Sequence, residues 1–139
     1  MSWRIRAYLA VVAFRHLGLA YTLHRDGELF ERSELFLYVF ELASVPVWTV
    51  LFVAMALAAV GGLLWPRETG IRAIIAASVG LTVAWAAGFV MAELMLGTRA
   101  TIATVLFVSL ALKDLIVSGM TFANPLEAMV KRELEDGPP

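Results

Sequence analysis

The chain has 139 residues, of which 60% are hydrophobic and 17% are charged, and its net charge is −1. Because an average soluble domain has about 45–50% apolar and about 25% charged residues, both departures indicate a membrane protein. The balanced charge excludes a basic surface for nucleic acid, and the lack of cysteine excludes disulfides and cysteine-ligated metals. The length predicts a single membrane domain over residues 1–139.

The first apolar run predicts a membrane span at about residues 7–23, after a basic leader. A cleaved signal peptide is the alternative for such a start. Arg15 and His16 interrupt the run, however, and no small-residue cleavage site follows it, so we predict a retained helix.

Arg15 would lie near mid-membrane, where an unpaired charge is costly, so it should face protein or water and have a partner. The alternative is a shallow helix from which Arg15 reaches the surface. For His16, a hydrogen-bonded helix histidine is favoured over a proton relay or a ligand, because no carboxylate stands at metal-ligand spacing.

The connection after the first span contains a predicted turn at Asp26-Gly27. The segment 28–41 that follows is rich in Leu and Phe but too charged to span. It predicts an amphipathic helix at the membrane interface, packed on the helical bundle.

The second span is predicted at about residues 46–65. Ser44 is placed to cap its start and Pro46 suits its first turn. Trp48 and Trp65 stand near its two ends, as an aromatic belt at the membrane interfaces would require.

The third span, about residues 71–93, carries a stripe of small residues that lets another helix backbone approach closely. A similar stripe marks the second span, and the two stripes would pack together inside one bundle or against another copy. Ser78, Thr82 and Trp85 form a second face, placed to hydrogen-bond between helices. The small residues are Ala76, Gly80, Ala84, Gly88 and Ala92 in the third span, and Ala54, Ala58 and Gly62 in the second.

The fourth span, about residues 100–120, contains Lys113 and Asp114. The lysine stem is long enough to reach the interface, whereas the aspartate is too short. We therefore predict a buried ion pair between Arg15 and Asp114, either purely structural or lining a polar path. With His16 and Lys113 these residues form the predicted intramembrane polar network. Asn124-Pro125 would end the helix, leaving a charged cytoplasmic tail at 121–139.

The distribution of basic residues predicts the topology. One side of the four predicted spans has twice as many Lys and Arg as the other, which places both termini in the cytoplasm and the protein in the inner membrane. The short connections predict an all-α, antiparallel four-helix transmembrane bundle. The basic residues are Arg4, Arg6, Arg67, Arg72, Lys131 and Arg132 on the cytoplasmic side, and Arg25, Arg32 and Arg99 on the other.

Motifs of enzyme chemistry are missing from the sequence. It has no phosphate-binding loop, no HExxH and no evident Ser/His/Asp set. The two histidines, His16 and His24, lie at different depths of one helix and cannot bind a haem between facing helices. We therefore predict a protein that is not an enzyme and has no cofactor or metal.

Three segments carry a family resemblance: 85–89 (WAAGF), 111–115 (ALKDL) and 124–127 (NPLE). In these segments and in its alanine-rich, cysteine-free composition, the chain resembles small four-span membrane proteins of actinobacteria and their phages. Some of those phage proteins are holins, which open the inner membrane during lysis. The four-span plan also resembles the DoxX-type family, whose members are linked to redox complexes.

The resemblance implies a holin-like protein that self-associates in the bilayer and permeabilises the inner membrane. One alternative is an accessory subunit held to a partner through the Ser78/Thr82/Trp85 face or the segment 28–40. Another is a small proton-coupled carrier that uses Arg15, His16 and Asp114, which four spans would support only as an oligomer.

Overall fold

The structure is a computed structural model that describes residues 3–97 and 101–121, with side chains described through Ile116. This part of the chain is entirely helical, as the sequence predicts. The elements are α1 (Trp3–Glu31), a 3₁₀ turn (Glu34–Phe36), α2 (Leu37–Leu42), α3 (Val45–Leu64), α4 (Glu68–Leu96) and α5 (Thr101–Thr121).

Two helices, α3 and α4, are long and apolar enough to cross a bilayer. In the packing, α1 lies mainly against α3, and α4 lies mainly against α5. The short helix α2 and the 3₁₀ turn before it close one end of the bundle against α4. The second and third predicted spans, α3 and α4, do contact each other, but less extensively than α1 contacts α3 or α4 contacts α5.

Helix α1 is longer than the predicted first span, because it continues through Asp26 and Gly27. The turn predicted at these two residues is wrong. Gly27 is needed for another reason: a Cβ atom at this position would lie 2.6 Å from Cγ1 of Val45. The glycine lets the start of α3 pack directly on the backbone of α1.

The segment predicted as one amphipathic helix over residues 28–41 is divided differently. Its first residues belong to α1, and only the short α2 follows the 3₁₀ turn. Val39 of α2 is fully buried, and the ring of Phe36 contacts Trp85 and Phe89 of α4. The segment thus packs on the bundle as expected. The ring of Phe36 enters the core between the 3₁₀ turn and α4.

The start of α3 agrees with the sequence, since Ser44 is the N-cap residue and Pro46 lies in the first turn. The Ser44 side chain makes no capping hydrogen bond. Trp48 is buried and donates a hydrogen bond from Nε1 to the Val39 carbonyl at 2.9 Å. Trp48 therefore packs inside the bundle, whereas Trp65 at the other end of α3 is 73% exposed.

Helix α4 ends at Gly97, whose φ of 58° is a left-handed conformation that favours glycine. The connection to α5 is short, which makes the two helices an adjacent antiparallel pair. The predictions for Asn124-Pro125 and for most of the tail fall outside the described residues.

Candidate functional site: a buried polar cluster and an exposed helix face

The ion pair expected between α1 and α5 is present. Nη1 of Arg15 lies 2.8 Å from Oδ2 of Asp114. The Asp114 side chain is fully buried and that of Arg15 is 15% exposed. Because each charge is costly alone in a medium of low dielectric constant, each makes the burial of the other possible.

Helix α4 supplies the hydroxyl groups around this pair. Nη2 of Arg15 donates a hydrogen bond to Oγ of Ser78 at 2.8 Å. Oγ1 of Thr82 donates to the Ser78 carbonyl at 2.9 Å and lies 3.5 Å from Oδ2 of Asp114. The cluster therefore joins α1, α4 and α5. Arg15 of α1 contacts both Ser78 of α4 and Asp114 of α5.

Two buried polar atoms near the pair have no hydrogen-bond partner in the described part of the chain. They are the Tyr8 hydroxyl and Oδ1 of Asp114. Nζ of Lys113 lies 3.5 Å from the same Oδ1, and the Lys113 side chain is 46% exposed. The lysine thus reaches the carboxylate of its sequence neighbour.

His16 lies outside this cluster. Its Nδ1 is 2.8 Å from the Val12 carbonyl, one turn earlier in α1, and its ring packs against Phe52 at 5.6 Å between centroids. His16 is buried and Gly18 is exposed, so the inward face of α1 is centred on His16. The structure thus supports a hydrogen-bonded helix histidine here.

The small-residue stripe of α4 does not form one packing face. Gly88 and Ala92 are buried, and a Cβ at Gly88 would lie 2.5 Å from Cγ2 of Val39. Ala76 and Gly80 are exposed, and a Cβ at Gly80 would meet nothing within 4 Å. The remaining member, Ala84, is half-buried.

The stripe of α3 is divided in the same way. Ala54 is exposed, Ala58 is half-buried and Gly62 is buried. A Cβ at Gly62 would lie 2.9 Å from Cδ1 of Ile74 and 3.4 Å from Cδ1 of Leu9. One end of the stripe therefore packs against α1 and α4, and the other end is free.

The second face of α4 is used inside the chain. Ser78, Thr82 and Trp85 are all buried. This face is therefore not a free surface for a partner protein, which removes one of the two surfaces considered for an accessory subunit.

The described part of the chain contains no group of three or more His, Asp or Glu placed to bind a metal ion. Comparisons with protein-family models, curated proteins and solved structures give no match for this chain. The features that bear on function are therefore the buried polar cluster and the exposed face of α4.

Proposed function

We propose that this protein is a non-enzymatic, four-span protein of the inner membrane whose copies associate through α4 and permeabilise the membrane, as holins do. In this proposal α1, α3, α4 and α5 are the spans and both termini are cytoplasmic. The observation that carries it is the exposed small-residue face around Gly80, which no other helix of the described chain covers.

The composition of this face suits contact between helices within a bilayer. Ala73, Ala77 and Ala87 are exposed along with Ala76 and Gly80. Because lipid tails are as apolar as leucine, helices in membranes associate through close packing, and small residues let two backbones approach. A helix side that only faced lipid would have no need of so many small residues.

The ion pair supports the assignment of α1 and α5 as spans. Charged side chains in spans pair with one another or face protein. Arg15 and Asp114 do so across the two helices at 2.8 Å, and the half-exposed Lys113 can extend toward the cytoplasmic interface. The charges that make these helices less apolar than α3 and α4 are thus compensated within the bundle.

Controlled expression in a bacterial host, with membrane potential followed by a voltage-sensitive dye, tests the proposal. We expect the potential to collapse abruptly after a delay. Gly80→Leu should delay or abolish the collapse, because the leucine occupies the contact face at a position where an added Cβ meets nothing within 4 Å. Gly18→Leu is the matched control, since Gly18 is an exposed helix position with nothing within 4 Å of an added Cβ.

A steady potential with the protein abundant in the membrane would contradict permeabilisation by this chain alone. Collapse that Gly80→Leu and Gly18→Leu delay equally would contradict the α4 contact while leaving permeabilisation intact. Cross-linking from Cys substitutions at Ala76 and Gly80 gives an independent measure of association.

A further inference from the structure

A cavity of about 410 Å³ lies between α1, α4 and α5, at the end of the bundle closed by the 3₁₀ turn. Its walls include Leu19 and Leu23 of α1, Trp85 and Phe89 of α4, and Ala103 and Phe107 of α5. It exists because α5 packs mainly against α4 and makes only slight contact with α1. The ion pair joins α1 to α5 further along the same helices, one turn before Leu19 and two turns after Phe107.

The surface of this cavity is almost wholly apolar. Thr22 is its one hydroxyl residue, and its Oγ1 donates to the Gly18 carbonyl at 2.9 Å. Nε1 of Trp85, another lining residue, is buried and has no hydrogen-bond partner in the described part of the chain. A sugar, a nucleotide or a peptide backbone would lose its hydrogen bonds to water here and gain none, so a polar occupant is excluded.

The apolar surface continues outward along α5. Ile102, which lines the cavity, is 85% exposed, and Leu106 beside it is also exposed. In the four-span arrangement these residues face the hydrocarbon of the outer leaflet. The cavity therefore opens laterally onto lipid.

The undescribed end of this chain does not suit the cavity. Residues 122–139 follow Thr121, whereas the cavity touches the first two turns of α5, at the opposite end of that helix. This segment also includes Glu127, Lys131 and Arg132, whose charges would be buried without partners. A molecule from outside the chain is therefore a better occupant than this charged segment.

We propose that this cavity binds an acyl chain of a bilayer phospholipid that enters from the outer leaflet between α1 and α5. The inference rests on the four-span placement of the proposed function but not on permeabilisation. A flexible hydrocarbon chain fits a cavity whose surface is almost wholly apolar, and it makes dispersion contacts with the aromatic walls that would otherwise be lost. The bound chain fills the gap between α1 and α5 that protein side chains leave open.

Quenching of tryptophan fluorescence by brominated lipid tests this binding. The variant Trp3→Phe/Trp65→Phe removes the two exposed indoles and keeps Trp48 and Trp85, both buried. It is reconstituted in phosphatidylcholine vesicles with bromine on the middle of the acyl chains. We expect a clear loss of emission, because a chain in the cavity brings bromine into contact with Trp85.

Filling the cavity should prevent this loss. In the same background, Ala103→Phe places a ring in the cavity and should restore most of the emission, and the smaller Ala103→Leu should restore part of it. Val105→Phe is the matched control, because Val105, two residues after Ala103 in α5, is exposed and does not line the cavity. It should leave the quenching unchanged. Far-UV circular dichroism of each variant checks that the helices remain folded.

Equal quenching in all of these variants would overturn the proposal, because bromine would then act from the general lipid surface. The lack of any quenching of Trp48 and Trp85 would also overturn it. The parent protein reports membrane insertion separately: if its exposed Trp65 is also not quenched, the membrane placement itself fails. If the quenching shows the expected pattern but the protein does not collapse the membrane potential, the lipid site is supported and only the proposed permeabilisation is contradicted.

Discussion

The middle of the bundle and the end closed by α2 are stabilised by different interactions. The polar cluster, formed by Tyr8, Arg15, Ser78, Thr82 and Asp114, depends on one ion pair and a few hydrogen bonds. The aromatic cluster, at the end closed by α2, is a continuous set of ring contacts with centroids 4.8–6.1 Å apart. Its rings are Phe30, Phe36, Phe40, Trp48, Phe52, Trp85, Phe89 and Phe107.

This difference predicts different responses to mutation. Six of the eight rings in the aromatic cluster contact at least two other rings, whereas Phe30 and Phe40 each contact Phe36. The loss of one ring such as Phe89 therefore leaves the others in contact.

In the polar cluster, Arg15 has Asp114 as its one ion-pair partner in the described part of the chain, so the loss of Asp114 leaves the largely buried Arg15 unpaired. Asp114 has a second cation, Lys113, 3.5 Å from its Oδ1. A single substitution in the aromatic cluster should therefore lower the free energy of unfolding moderately. Removal of Asp114 from the polar cluster should lower it more.

The largest effect is expected for Asp114→Ala, which leaves Arg15 without its ion-pair partner. We expect a loss of about 3–5 kcal/mol in the free energy of unfolding, measured by denaturation in mixed detergent micelles. Replacing both residues with apolar ones, as in Arg15→Met/Asp114→Leu, should recover most of this stability. If the charge-swapped variant Arg15→Asp/Asp114→Arg is no more abundant in the membrane than the single variants, the pair does not act as described.

A smaller effect is expected for Phe89→Ala in the aromatic cluster. We expect a loss of about 2 kcal/mol, less than the ~3–5 kcal/mol of a water-soluble core, because lipid is also an apolar surrounding. The same denaturation assay measures it. A loss as large as that of Asp114→Ala would mean that the polar and aromatic clusters do not differ in the way proposed.

A more modest effect distinguishes the two halves of the α4 stripe. Gly88→Ala brings a methyl group within 3.0 Å of the backbone nitrogen of Val39, and we expect a loss of about 1–3 kcal/mol. Gly80→Ala meets nothing and should be neutral or raise stability by up to about 1 kcal/mol, because alanine favours the helix. Equal losses for both variants in dilute micelles would mean that Gly80 is also packed within the chain.

The smallest effect is expected at the exposed ion pair of Arg25 and Asp26, beyond the predicted first span. Hydrogen bonding to the Arg25 guanidinium lowers the pKa of the Asp26 carboxyl below its usual value. A lowered pKa stabilises the fold above the unfolded-state pKa, and this stabilisation disappears as the pH falls through the folded-state pKa. Because both groups are exposed to solvent, Asp26→Asn should leave stability at neutral pH unchanged within error and only flatten its decline in acid. A large loss at neutral pH would show that this pair is not a surface pair.

Part of the polar cluster could be predicted from the sequence, because an unpaired charge in an apolar surrounding has a high free energy. Arg15 and Asp114 each interrupt an apolar run, and the expense of leaving either charge in lipid is enough to predict their pairing. Gly97 likewise follows the last apolar turn of α4, where a left-handed residue ends a helix. The partners of Gly88 and Trp48 do not follow in this way, because the sequence does not show that α2 packs into the bundle. The same fact explains why Asp26-Gly27 is not a turn: only the approach of Val45 gives Gly27 its role.

By itself, the sequence determined the all-helical class, two apolar helices long enough to span a bilayer, and the need for a buried charge pair. These properties depend on local composition and on the energy of each residue in an apolar medium. The tertiary structure decided which half of each small-residue stripe is buried, where the aromatic rings of α2 lie, and where a gap remains between α1 and α5. Those outcomes depend on which helices become neighbours, and alanine-rich faces of similar shape do not specify their neighbours.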